Sequence, residues 1–312
     1  AFFGGGKTHT LLTIYHALMN PEYTRYLSPE IHRLYHGLAG IKIVILYGKD
    51  SRLAPSPVKP YNGVKTLWGY LGLKLGKYEL VRRDDEKLLC PDLGVLKDLL
   101  SNQRVVILVD EILDYIDNVL SSNMDNKEGY IRQIITFFDR LATAVEATNN
   151  VLLVTIAAIK YGRRTYTQQR YRYMAGFIEA LIEALERVAG NIYAPVSEKE
   201  ELYGVLKKRL FSEIKISDAR QELDKLFKAY REYDQIFGDI ENIVSKVIET
   251  YPFHPNYLSI LQLVSEKVTG QRTRFAMRVS RILLRWLYNS DENPVLVMPW
   301  HIDPIELGIP AL

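Results

Sequence analysis

Three uninterrupted apolar runs constrain this chain most: "IKIVILYG" (41–48), "RVVILVDEI" (104–112) and "VLLVTIAA" (151–158). Each has strand length and lacks polar alternation, so each needs cover on both faces. Strands of that kind belong inside a parallel sheet, where neighbours are joined by helical crossovers. The helical patterns are present. Leu11, Ile14, Tyr15 and Leu18 recur at helical spacing before Asn20-Pro21 stops the pattern. Ile131, Ile134, Ile135, Phe138, Leu141 and Val145 make an amphipathic helix between the second and third runs. Phe177, Ile178, Leu181, Ile182, Leu185 and Val188 mark another, closed by Gly190, and "NIYAPV" (191–196) reads as a short fourth strand. The pattern predicts an α/β domain, a parallel sheet covered by helices.

The period changes near residue 197. Ser197-Glu198-Lys199-Glu200 is a capping-box signature, and only helical patterning follows as far as Tyr288. The expected division is an α/β domain over 1–196, an all-helical domain over 197–290 and the start of a further region over 291–312. A chain of 312 residues is long enough for two cores. No methionine opens it and "HIDPIELGIPAL" closes it, so it reads as a segment of a longer chain. Cys90 is the only cysteine, which rules out an intrachain disulfide and fits a reducing cytoplasm. No apolar run reaches 18 residues, so no membrane span is expected. A net charge of +3 is too small to argue for nucleic acid by itself.

The first residues, "AFFGGGKTHTL", place a glycine run directly before a helical pattern. A phosphate-binding loop reads G-x-x-x-x-G-K-[ST]. Its backbone amides and the helix N-terminus hold phosphates, its Lys reaches the terminal phosphates, and its hydroxyl ligates Mg²⁺. Gly6, Lys7 and Thr8 supply the second half of that pattern, while Ala1 stands at the first glycine position. Gly4 and Gly5 leave the backbone free for close approach, and the strand that feeds such a loop is expected before residue 1. The second half of the site is the apolar strand "VVILVDE". Asp110 at its tip is the expected Mg²⁺ residue, and Glu111 is placed to polarise an attacking water. No [NT]-K-x-D guanine-reading tetrapeptide occurs, since Asn126-Lys127-Glu128-Gly129 ends wrongly, so ATP is expected rather than GTP.

An Asp-Glu strand, a further strand carrying a polar residue and a helical domain behind them resemble an AAA+ ATPase. The blocks "FGGGKTHTL", "KTLWGYLG" (65–72), "VILVDEI", "YPFHP" (251–255) and "QRTRFAMR" (271–278) narrow the resemblance. They are similar, in order and over nearly the whole chain, to large prokaryotic ATPases encoded beside DNA methyltransferases in phage-defence islands, akin to those of BREX-type systems. Phe275 stands where that family more often has Gly. The resemblance implies a P-loop domain with a helical lid, acting on DNA or a DNA-bound partner. A homo-oligomer with sites between subunits and a DNA methyltransferase or other defence partner are implied too. It makes Thr155 the residue that senses the γ-phosphate and Arg274 the lid arginine over the nucleotide. It also makes His9 part of the cofactor-binding run Gly4 to His9. Thr155 reads equally as a threonine satisfied within a sheet, and His9 as a packing or capping residue. For an arginine finger, Arg187, Arg163 and Arg164 compete. A nucleotide-locked switch resembling origin-recognition ATPases, with little turnover, is the rival function. A small-molecule kinase is a third, and the sequence shows no acceptor site for it.

"KYGRRTYTQQRYRYM" (160–174) carries Lys160, Arg163, Arg164, Arg170 and Arg172 with four tyrosines and no acid. Basic residues interleaved with aromatics suit phosphates and stacked bases. A solvated loop or a contact with a neighbouring subunit explains the same composition. Arg274, Arg278, Arg281 and Arg285 form a stripe on one helix, with Phe275, Val279, Ile282 and Trp286 on another face. His254, between Phe253 and Pro255, reads as an N-cap. The six histidines show no ligand spacing, so no structural metal is expected.

Overall fold

The structure, a computed structural model, describes residues 6–36, 38, 40–156, 158–161, 164–167, 169–188, 199–268, 272–290 and 292–303. It divides into two compact units at Pro195/Val196. The first unit carries helices α1 (Lys7–Met19) and α2 (Pro29–His36), strand β1 (Ile41–Tyr47), then α3 (Leu67–Leu75), α4 (Arg82–Lys87) and α5 (Leu93–Leu100). Strand β2 (Arg104–Asp110), α6 (Ile112–Leu120), α7 (Lys127–Ala147) and β3 (Val151–Val154) follow. A hairpin of β4 (Ala158–Tyr161) and β5 (Arg164–Thr167), and helix α8 (Ala175–Glu186), complete it.

The three apolar runs form one parallel sheet in the order β1-β2-β3. Its two faces divide the side chains by alternation. Ile41, Ile43, Val106, Leu108 and Leu153 meet Leu11, Ile14, Tyr15 and Leu18 of α1 on one face. Val44, Leu46, Val105, Ile107 and Val109 meet the larger core built by α3 and α5 to α8 on the other. The third run is shorter than its apolar length suggests. Pairing ends with Val109 and Val154, whose last ladder bond runs from Thr155 N to Val109 O (2.9 Å), and the Thr155 side chain donates to Asp110. The run's remainder, from Ala158, belongs to the antiparallel β4–β5 hairpin. "NIYAPV" lies outside the described residues.

The "KTLWG" block has a local physical reason. Thr66 caps α3 by accepting from Gly69 N (3.0 Å). The Thr66 hydroxyl donates to the fully buried Asp85 (2.5 Å), which also accepts from Lys65 N and Tyr78 OH. A Cβ on Gly69 would sit 2.3 Å from Asp85 Oδ1, so only glycine fits. Leu67 and Trp68 are fully buried beside it. At about 1.5–3 kcal/mol for each large apolar side chain, this block anchors the core behind β1.

The second unit holds α9 (Lys199–Leu210), α10 (Arg220–Glu232), α11 (Asp234–Phe237), α12 (Ile240–Thr250), α13 (Pro255–Val268) and α14 (Arg272–Asn289). One cluster joins α9, α13 and α14 around Phe253, Tyr257 and Leu283; a second joins α10 and α12 around Phe227 and Val247. The segment after residue 290 packs within this unit. Val297 is buried in the first cluster and Leu296 in the second, and Val297 N donates to Pro252 O (2.8 Å). His254 caps α13, its Nδ1 accepting from Asn256 N (3.1 Å). On α14, Ala276, Val279, Leu283 and Leu287 are buried while Arg278, Arg281 and Arg285 are exposed.

Candidate functional site

The parallel register levels the strand ends. Tyr47 pairs with Asp110, and Val109 with Val154. The residues that follow, Gly48-Lys49, Glu111 and Thr155, therefore emerge at one carboxyl edge of the sheet, where ligands of open α/β sheets bind. The N-terminus of α1 comes to the same edge. Gly6 adopts the left-handed conformation there (φ 78°), and its carbonyl accepts from Thr10 N (2.8 Å). Lys7 and Thr8 open the helix, so its first amides and its positive dipole end face this region.

Asp110 is buried at the centre. Thr8 Oγ1 donates to its Oδ2 (2.6 Å), and Glu111 N donates to its Oδ1 (3.1 Å). The Thr155 hydroxyl donates to Oδ1 as well. The structure thus brings Thr8, Asp110 and Thr155 together, and Lys7 and Gly6 lie next to them in the chain. Gly4 and Gly5 lie outside the described residues. His9 is exposed on α1, one residue beyond Thr8.

Glu111 is held by its backbone and its neighbours. It starts α6 in the left-handed region (φ 55°), unusual for a residue with a side chain and a conformation concentrated at functional sites. Its Oε1 lies 2.9 Å from Lys49 Nζ, and the same ammonium lies 3.5 Å from Asp114 Oδ2. Desolvation raises the Glu111 pKa, and the Asp114 carboxyl raises it further; the Lys49 ammonium opposes both without reversing the direction. Burial pulls Lys49 down, but the hydrogen bond and charge of Glu111, with the charges of Asp114 and Tyr47, together outweigh it and the net direction is up. Gly48 permits this closeness. A Cβ there would lie 2.0 Å from Glu111 O and 3.1 Å from Tyr115 Cβ.

Lys49 and Asp114 were missed in the sequence reading. The available signal was "GKD" (48–50), a glycine and two charges directly after a buried strand. The stretch 160–174 needs correction. It is no simple loop but the β4–β5 hairpin followed by a 3₁₀ turn (Gln169–Met174). Tyr171 and Met174 are core residues, because that turn docks under α8. The Tyr173 hydroxyl donates to Asp117, and Arg172 is exposed. Arg163 lies outside the described residues, as do the side chains of Lys160, Arg164, Arg170 and Arg274. Arg187 pairs with Asp139 (2.9 Å) on the surface. Burial pushes the Cys90 thiol up to about 11, although Arg140 opposes it, so this cysteine is inert. Among the described residues, no three His, Cys, Asp or Glu side chains gather as a metal site, and no helix is long and apolar enough to cross a membrane.

Family comparison adds to this geometry. No curated protein and no solved structure matches the chain. Residues 1–192 match the model of the DUF499 N-terminal domain, and residues 197–312 match that of the DUF499 second domain. The chain therefore belongs to the DUF499 family, from its N-terminal domain through its second domain.

Proposed function

We propose that this chain is an ATP-binding and ATP-hydrolysing module of the AAA+ type, a P-loop domain followed by a helical lid. One observation carries the reading. Thr8 Oγ1 and Asp110 Oδ2, 102 residues apart, meet at 2.6 Å where a helix begins and a buried parallel strand ends. A hydroxyl and a carboxylate are hard oxygen donors of the kind Mg²⁺ takes, so the pair fits a metal-bound phosphate. Bound Mg-ATP supplies the phosphoryl group and the charge-neutralising metal. The amides at Gly6 to Thr8 and the Lys7 ammonium hold the terminal phosphates. Thr8 and Asp110 hold the metal, and Thr155 fixes the Asp110 carboxylate and reports on the γ-phosphate. Glu111 orients the water and takes its proton. Lys7→Ala is expected to abolish Mg-ATP binding in a calorimetric titration; an unchanged affinity would overturn the assignment.

A second reading has its own support. Glu111 is engaged by Lys49 at 2.9 Å, which suits a nucleotide-locked switch with slow turnover. A single turnover with nucleotide retained favours the switch, and sustained turnover stimulated by DNA favours the hydrolysing module. In either case the resemblance points to DNA or a DNA-bound partner in a prokaryotic defence or DNA-modification system. It also points to a homo-oligomer and a methyltransferase neighbour in the cytoplasm.

A further inference from the structure

Helix α14 carries five arginines and no acid over its 18 residues. Its apolar side, through Ala276, Val279, Leu283 and Leu287, is buried, so Arg278, Arg281 and Arg285 stand in a row on the exposed side. Tyr288 continues that row and is 90% exposed. Helix α8 is the opposite case. It holds Glu179, Glu183 and Glu186 and no basic residue, and all three glutamates are exposed while Ile178, Leu181 and Ile182 are buried. A solvated helix face in this chain looks different. On α10, Arg220 pairs with Asp224 (3.4 Å) and Lys225 with Glu222 (2.7 Å). Among the described residues, Arg278, Arg281 and Arg285 make no ion pair. Both helices also work against their own dipoles. Glu183 and Glu186 sit in the last turn of α8, and Arg272 and Arg274 in the first turn of α14, the ends where such charges destabilise. A local rule broken on both helices calls for a compensating contact.

The spacing of the two stripes supplies one. Arg278, Arg281 and Arg285 advance by three and then four residues, and Glu186, Glu183 and Glu179, taken backwards, do the same. Laid antiparallel, the helices bring Arg278 to Glu186, Arg281 to Glu183 and Arg285 to Glu179 over roughly 10 Å of axis. The same register puts Tyr288 over Gly176, where a Cβ would meet nothing within 4 Å. It also sets the positive end of α14 beside the negative end of α8, which relieves both. We propose that α14 of one copy docks antiparallel on α8 of a second copy of this chain. Each copy offers both stripes, so the join is head to tail. Beside the glutamates, a groove lined by Ile135 and Ala180 gives the contact an apolar floor. Arg187 at its edge is already paired with Asp139 (2.9 Å). A membrane surface is a poorer match, because the apolar face of α14 is buried and has nothing to insert. Nucleic acid would leave the acidic stripe without a partner. Exposed charge pairs set register and salt dependence more than affinity, so the association is weak. The inference stands apart from the phosphate-site reading, whose failure would leave it intact.

Sedimentation velocity of the whole chain, without nucleotide, tests the contact at concentrations up to about 1 mM, the weak end of specific association. Self-association is expected at about 50 mM salt and is expected to disappear near 500 mM, where exposed charges are screened. Arg281→Glu and Glu183→Arg each set like charges opposite one another, and each is expected to weaken association at least about tenfold. Mixing the two variants faces each reversed stripe with the other, and the native stripes with each other, so association is expected to return. A misfolded variant could not be rescued in this way. Absence of association at low salt, persistence at high salt, or single variants that associate like the wild type would overturn the proposal. So would a mixture no better than its components, because stripes that meet within one chain, or bind something else, gain nothing from a second variant.

Discussion

Glu111 stands between opposing influences, and its neighbours can be tested singly. Desolvation and Asp114 favour its protonated form, while Lys49 favours the carboxylate. Glu111→Gln keeps the shape and removes the charge. It is expected to retain Mg-ATP binding and to lose turnover by roughly 10²-fold or more, the usual scale for a lost general base. Lys49→Met asks the complementary question. Lys49 is 43% exposed, so its pair with Glu111 is worth about 1 kcal/mol or less. If the pair holds Glu111 away from water, steady-state turnover in Lys49→Met rises, by about fivefold at most. A fall in turnover would instead assign Lys49 the task of keeping Glu111 ionised.

The tip of β1 and the start of α13 are elements whose geometry depends on one position each. Gly48 lies against the Glu111 main chain, so a methyl group there must displace backbone. Gly48→Ala is expected to cost about 1–3 kcal/mol in denaturant unfolding and to lower turnover by moving Glu111. Full turnover in that variant would show that the β1 tip does not position Glu111. At α13, the His254 cap works only as neutral imidazole, because a protonated Nδ1 cannot accept from Asn256 N. Burial lowers the His254 pKa below its ordinary 6.5, and burial lowers His301 too, whose Nδ1 accepts from Met298 N (3.0 Å). Below 6.5 the unfolded chain therefore binds more protons than the folded one. Stability is fully present above that value and declines as pH falls through it toward the depressed folded pKa. His254→Asn keeps a cap acceptor without a titrating group. The thermal midpoint lost between about pH 7 and about pH 5 is expected to shrink in this variant. An equal loss would place the acid sensitivity elsewhere.

Across the whole molecule, 40 basic residues nearly balance 37 acidic ones, so any grip on nucleic acid must be local. The 160–174 stretch is the basic candidate, now with Tyr171 assigned to the core and Tyr173 bonded to Asp117. If it holds DNA phosphates, affinity falls steeply with salt. Arg170 and Arg172 both changed to Ala are then expected to flatten the log–log slope by about one unit per lost contact. A slope unchanged in the double variant would leave a subunit contact or a solvated surface.

The sequence by itself determined the parts. The three strands of the parallel sheet were legible because a continuous apolar run has few other places to go, although only β2 is buried along its length and β3 holds no buried residue; the Gly6-Lys7-Thr8 and Asp110-Glu111 signatures were legible because they are contiguous. The start of α13 at Pro255 was legible for the same reason, since caps are local. Tertiary structure alone decided the assembly. It set Thr8 against Asp110 across 102 residues, brought Lys49 onto Glu111, ended the third strand at Val154 and buried Tyr171. Each outcome depends on strand register and on which atoms approach across the fold. Local propensity and periodicity carry no record of either, because they describe a residue's neighbours along the chain and not those across the sheet.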